Sequence, residues 1–204
     1  MRRVIDEVRS IMLILIRHAK VIFNWKKKYT ADEFAAAQAA YDKAPIERID
    51  DLEIRHIRDA LPEQFELYTS TLKRSIETAE MLFPGKTPIQ LPELSEIPIY
   101  PYRDSDTALS LWRWLFWGRV QWFYNHPRQK RIKQTVEHEV ADLIALMQNK
   151  NAVIVGHGFQ MMIMLNILSR HYPVQKPMRI KNLDTARCFI YEKKEDYFKG
   201  LKIK

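Results

Sequence analysis

Three stretches of the chain place polar residues where an apolar run stops. Arg17-His18-Ala19 follows Ile11 to Ile16, Ser70 and then Arg74 follow the run from Phe65, and Gly156-His157-Gly158 follows Ala152 to Val155. Imidazole beside guanidinium suggests a definite chemistry. A neutral imidazole can attack phosphorus and hold the group as a phosphohistidine, splitting one hard displacement into two easier ones. Guanidinium forks neutralise the non-bridging oxygens in a bidentate geometry that an ammonium cannot copy. A second imidazole can donate to the same oxygens, and free backbone N–H groups at a helix start after His157 add donors aimed at an anion. Positioning and charge stabilisation then supply most of the rate. His18 and His157, brought to one rim with Arg17 and Arg74, predict phosphoryl transfer.

Such a meeting requires strands that end side by side. In open α/β sheets ligands bind at the carboxyl ends of strands, where helices begin. Ile11 to Ile16 does not alternate, as expected of a central strand covered on both faces. Thr30-Ala31-Asp32-Glu33 has capping-box spacing and opens an alanine-rich helix that Pro45 must stop. Residues 46–65 are charged and are not placed by pattern. Phe65 to Ser70 reads as a strand, about 71–83 as a helix, Ile89 to Leu94 as a short strand and 97–106 as a loop. Helices are expected over about 107–124 and 128–148, with Pro127 suited to the first turn of the second. A strand at 152–155, a helix at 159–168 and a last strand at 187–192, placed at an edge, complete the pattern. Strands alternating with helices predict an α/β sandwich with a largely parallel sheet.

Composition bounds the partners. Lysine and arginine number 33 against 25 acidic residues, a net charge of +8 that favours an anionic partner. Apolar residues make up 47% of the 204, too many for a disordered chain and normal for one domain with a sizeable core. A single cysteine, Cys188, excludes an intramolecular disulfide framework and reads as a packed thiol in a reducing compartment. Met1-Arg2-Arg3 is basic, but Asp6, Glu7 and Arg9 interrupt any signal-like apolar region, so a cytoplasmic location is expected.

Together these residues resemble a known family. Leu15-Ile16-Arg17-His18-Ala19 resembles the Arg-His-Gly signature of the histidine phosphatase superfamily, which includes the cofactor-dependent phosphoglycerate mutases. Thr69-Ser70-Thr71-Leu72-Lys73-Arg74-Ser75-Ile76-Glu77-Thr78-Ala79 resembles its second motif, and Val155-Gly156-His157-Gly158 its late His-Gly motif. Occurring in family order over residues 11–192, the three imply a three-layer, phosphoglycerate mutase-like α/β sandwich whose central sheet is flanked by helices. They also imply one domain over 1–204 with a helical cap-like insertion at about 97–135. By the resemblance His18 is the phosphorylated nucleophile, and Arg17, Arg74, His157 and Asn24 form the phosphate pocket. Leu94-Ser95-Glu96 fits the family's Leu-x-Glu acid motif, which makes Glu96 the candidate general acid, its pKa raised by burial. Glu93, Asp104 and Asp106 compete for that role. Ala19 replaces the usual glycine, Ile97 to Pro101 stands where a glycine and tryptophan usually follow the acid, and the Arg-Arg-x-Tyr-Gly run of the mutases has no counterpart.

The expected activity is hydrolysis of phosphate monoesters, on a small phosphorylated molecule or a phosphoprotein, without metal or organic cofactor. Mutase-type transfer is one alternative. A non-catalytic surface for nucleic acid or membrane is the other, although no RNA-recognition or helix-turn-helix signature supports nucleic acid. His56, His126, His138 and His171 read as surface or capping residues. Leu109 to Tyr124 holds Trp112, Trp114, Trp117 and Trp122 beside Arg113 and Arg119. Packing over the sheet, a substrate-pocket wall and interfacial docking on a membrane or partner are its three readings. Lys26 to Lys28 and Arg128 to Lys133 read as solvated basic faces, the first near enough to His18 to steer an anion.

Overall fold

The first apolar run becomes an interior strand in a computed structural model that describes residues 10–147, 149–175 and 180–191. In chain order the elements are β1 (Ser10–Arg17), β2 (Lys28–Tyr29), α1 (Ala31–Lys43), α2 (Asp51–Asp59), β3 (Glu66–Thr69), α3 (Lys73–Leu82) and β4 (Ile89–Gln90). There follow β5 (Leu109–Ser110), α4 (Leu111–Phe123), α5 (Lys133–Met147), β6 (Ala152–Gly156), α6 (Gly158–Leu168), β7 (Val174–Gln175) and β8 (Thr185–Tyr191). The six-stranded sheet has the order β4-β3-β6-β1-β8-β7, with β4, β3, β6 and β1 mutually parallel and β8 antiparallel to β1. Residues 1–9 and Glu192 lie outside the described residues.

The unbroken apolar run of β1 follows from burial on both faces. Leu13 and Leu15 pack into a core with α5 and α6, while Ile14 and Ile16 face the opposite core with Ile57 of α2 and Ala79 and Leu82 of α3. All four strand residues are at most 1% exposed. The helix α1 starts as its spacing predicts: Thr30 Oγ1 accepts from Glu33 N–H, and Glu33 Oε2 accepts from Thr30 N–H at 3.0 Å. In the charged stretch 46–65, Asp50 caps α2 and Ile57 is its buried anchor.

Several boundaries differ from the sequence expectation. Only Ile89 and Gln90 form a strand; Pro92–Leu94 is a 3₁₀ turn, because Pro92 has no N–H to give a ladder. The helix expected from 107 starts at Leu111, since Leu109 and Ser110 pair with Tyr29 and Lys28. Pro127 lies ahead of α5 rather than in its first turn. There the chain is tied down by Arg128 gripping Asp104 and by the buried Gln129 bonding both backbone groups of Tyr100. The last strand is interior, with Ala186 and Cys188 buried, and the two-residue β7 takes the edge. Burial pushes the Cys188 thiol up to about 12.

A third core, away from the sheet, joins Tyr29, Ala31 and Phe34 to Leu109 and Trp114. Trp114 is fully buried, stacks on Phe34 at 5.5 Å and donates its indole N–H to the Tyr29 carbonyl at 2.9 Å. Trp114→Ala should lower the unfolding free energy by about 3–5 kcal/mol in urea titration, the usual loss for a large buried aromatic. The thirteen-residue α4 divides its side chains three ways. Trp114 and Trp122 are core, Leu111, Leu115 and Arg119 line a cavity, and Trp112, Phe116 and Trp117 stay exposed. Among the described residues no helix is long and apolar enough to cross a membrane.

Candidate active site

Sheet register brings the motifs together. Arg17 pairs with Gly156, and Thr69 with Val155, so His18, His157 and Ser70 leave three adjacent strands at one level. The backbone N–H of His18 donates to the Gly156 carbonyl at 2.9 Å, and the two imidazoles stand 5.1 Å apart.

His18 is 2% exposed, and its Nδ1 lies 2.7 Å from the Ala19 carbonyl. That contact assigns the proton to Nδ1 and leaves Nε2 with the lone pair. Burial pushes the His18 pKa down to about 3; the Ala19 carbonyl opposes the fall, and Arg74 and Arg17 add to it. His157 is buried and held well below its ordinary value, first by burial and then by Arg74 and His18. Its Nδ1 accepts from Arg74 Nε at 3.2 Å, so Nε2 carries the proton and faces Ser70 Oγ at 2.6 Å. Both ring nitrogens of His157 are thereby engaged by protein groups.

A pH dependence follows with a definite sign. Below pH 6.5 the unfolded chain protonates these two imidazoles while the folded protein leaves them neutral, His18 down to about pH 3. Stability therefore falls as pH drops from 6.5. Between pH 6 and 5 the loss attributable to His18 should be about 1.2 kcal/mol, and His157 adds to it in the same direction. Urea titrations should show His18→Gln losing stability less steeply than wild type over that interval.

Arg74, 2% exposed, spans the floor: Nε on His157, Nη1 on Asp42 Oδ1 at 2.7 Å, and its guanidinium 5.0 Å from the Tyr41 ring centroid. Arg17 donates Nη1–H to the Ile180 carbonyl at 3.0 Å, and its buried Nε has no partner among the described residues. Gly158 makes room for it, because a Cβ there would lie 3.2 Å from the Arg17 guanidinium carbon and Nε. Gly158→Ala should displace Arg17 and raise the inhibition constant of inorganic phosphate about tenfold, a measurement that separates displacement from unfolding.

Glu96 is 24% exposed rather than buried. Its carboxylate accepts from the backbone N–H of Ile97, Phe159 and Gln160 and lies 4.0 Å from Arg119 Nη2. It thus caps α6, taking the N–H groups expected to face an anion. Of the four candidate acids only Glu96 lines the cavity; Asp104 is 88% exposed on Arg128, Asp106 is exposed, and Glu93 faces elsewhere on the 3₁₀ turn. Asn24 does not join the group. Its neighbours Phe23 and Trp25 turn inward against Tyr41, which sends Asn24 to the exposed side.

The cavity over His18 encloses about 640 Å³. Its walls include Ala35, Gln38, Ala39 and Asp42, one stripe of α1 at helical spacing, facing Leu111, Leu115 and Arg119 on α4. The small alanines leave the space open. Ile97 to Pro101 forms another wall, seated on α4 at Gly118, where any Cβ would strike Ile99. The 93–96 turn is held by Arg131, which donates to the Ser95 and Glu93 carbonyls at 2.8 Å and pairs with Glu139. Arg131 is therefore structural, not part of a solvated face. Lys26 to Lys28 are exposed, as are His56, His126, His138 and His171. Among the described residues no group of three or more His, Cys, Asp or Glu side chains could hold a metal ion.

The family model of the histidine phosphatase superfamily (branch 1) matches residues 13–203. The chain belongs to this superfamily. Its members are generally phosphatases or mutases. Solved histidine phosphatase-like structures share the fold at low identity. TTHB049 from Thermus thermophilus is 19% identical, with a TM-score of 0.53 over 87% of this chain and 92% of that one. The Rv3214 product of Mycobacterium tuberculosis is 14% identical, with a TM-score of 0.59 over 88% and 91%. A candidate alpha-ribazole-5'-P phosphatase from Escherichia coli K-12 is 18% identical, with a TM-score of 0.53 over 87% and 89%. Among curated proteins, none matches significantly by sequence. This member of the superfamily also carries cavity residues that the motifs do not contain: Trp25, Tyr41, Asp42 and Arg119. Stripes at spacings of three and four on α1 and α4 are the sequence trace of Tyr41, Asp42 and Arg119, whereas Trp25 lies outside both helices.

Proposed function

We propose that this chain hydrolyses phosphate monoesters through a phosphohistidine on His18. The observation that carries the reading is the neutral His18 in the cavity, its Nε2 without a hydrogen-bond partner among the described residues, beside Arg17 and Arg74 in the same lining. Nε2 attacks phosphorus as the ester P–O bond breaks, and protonated Glu96 gives its proton to the departing oxygen. Water then attacks the phosphohistidine, passing a proton to the Glu96 carboxylate; the P–N bond breaks, and phosphate and neutral His18 are restored. The two guanidiniums neutralise charge on the non-bridging oxygens throughout. His157 acts as a positioning residue that aims Arg74, with Ser70 fixing its tautomer. The phosphatase-described neighbour from Escherichia coli agrees with this direction of chemistry.

Release of inorganic phosphate from p-nitrophenyl phosphate by the purified protein is the direct test. Stoichiometric isomerisation of a phosphorylated hydroxy acid with no free phosphate would replace hydrolysis by mutase transfer. Ser70→Ala should lower kcat about tenfold by freeing the His157 ring, with part of that loss restored in Ser70→Thr.

A further inference from the structure

Beyond the phosphate cradle, the cavity offers a leaving group almost nothing charged to hold. Trp25, Tyr41, Ile97, Ile99, Leu111 and Leu115 supply much of its surface, beside the uncharged polar Gln38 and Ser95. The carboxyl groups there, Asp42 and Glu96, offer a second anion no positive charge. The remaining lining cation is Arg119, and it is already engaged: Nη1 donates to the Ile97 carbonyl at 2.8 Å, Nη2 faces Glu96, and the guanidinium covers the Phe159 ring at 3.7 Å. Among the described lining residues, no further cation is left for a carboxylate or second phosphate. The volume of about 640 Å³ far exceeds one phosphoryl group and falls within the range of small-ligand pockets.

Resting on the hydrolase reading above, we propose that the substrate class is the monophosphate ester of an uncharged, apolar alcohol carrying a ring, rather than a phosphorylated sugar acid or a bisphosphate. The ring lies against Trp25 and Tyr41 on one side and Leu111 and Leu115 on the other, where aromatic and aliphatic surfaces favour it. Its single phosphate lies against the guanidinium groups of Arg17 and Arg74, which line the floor beside His18. An added carboxylate would enter an apolar wall beside Asp42 and Glu96, which costs desolvation without a compensating partner.

The test compares 2-phenylethyl phosphate, ethyl phosphate and 3-phosphoglycerate on the wild-type protein, all esters of alkyl alcohols, so the wall is read more than the leaving group. kcat/KM should be about 10- to 100-fold higher for the phenylethyl ester than for the ethyl ester, the value of burying one ring. 3-Phosphoglycerate should fall below ethyl phosphate. Leu115→Ala should narrow the phenylethyl-to-ethyl ratio several-fold. Calorimetric binding of phenylethylphosphonate and ethylphosphonate reads the same wall without turnover. A ratio near one in both assays, or a preference for 3-phosphoglycerate, overturns the proposal. Tighter phenylethylphosphonate binding with no phosphate released from any ester upholds the wall and overturns the hydrolase reading alone.

Discussion

His18→Ala should lower phosphate release by about 10⁴-fold or more, because the group that forms the covalent bond is gone. The neighbouring imidazole, His157, has Nδ1 on Arg74 and Nε2 on Ser70, and no lone pair remains to attack. Alkaline quenching of wild-type protein during turnover should trap an acid-labile phosphoryl group on His18, absent from the variant. A His18→Ala protein keeping a tenth of the wild-type rate would remove the phosphohistidine route. The low His18 pKa of about 3 adds a corollary: the nucleophile stays neutral through mildly acidic solution, so an acid limb above pH 4 would belong to another group.

Glu96→Gln should lower kcat by about 10²- to 10⁴-fold on alkyl phosphates and by much less on p-nitrophenyl phosphate, whose leaving group needs no proton. That difference separates a general acid from a residue that only shapes the cavity. It also tests the rival carboxylate. Asp42 lines the same cavity, but it is paired with Arg74 at 2.7 Å. Asp42→Asn should therefore change KM by less than about tenfold and leave the leaving-group dependence intact. If Asp42→Asn, not Glu96→Gln, abolished the alkyl activity alone, the acid would be Asp42. Because Glu96 also caps α6, its variant should lose about 1 kcal/mol of stability, which a urea titration run alongside would show.

Chain order and residue type already tell much of this. The unbroken run of β1, the motif residues at the ends of β1, β3 and β6, and the capping box of α1 are local patterns, and the fold keeps them. Boundaries differ where long-range partners decide. Leu109 and Ser110 are strand because β2 lies beside them, and β8 is interior because β7 covers its edge. The family resemblance puts Asn24 in the expected site, and packing of Phe23 and Trp25 on Tyr41 turns it to the exposed side.

Residue type and chain position single out His18, Arg17, Arg74 and His157, each near the end of a strand, and the family resemblance adds the carboxylate at 96. How those groups are held is a matter of packing. It sets the tautomers of both histidines, gives the α6 N-terminus to Glu96, and puts Asp42 on Arg74. It also brings one stripe each of α1 and α4, far apart in the chain, to the walls of one cavity. The reason is physical: a nucleophile can be recognised from its own strand, whereas a proton's position and a cavity's lining are set by whichever groups packing brings within a few ångströms.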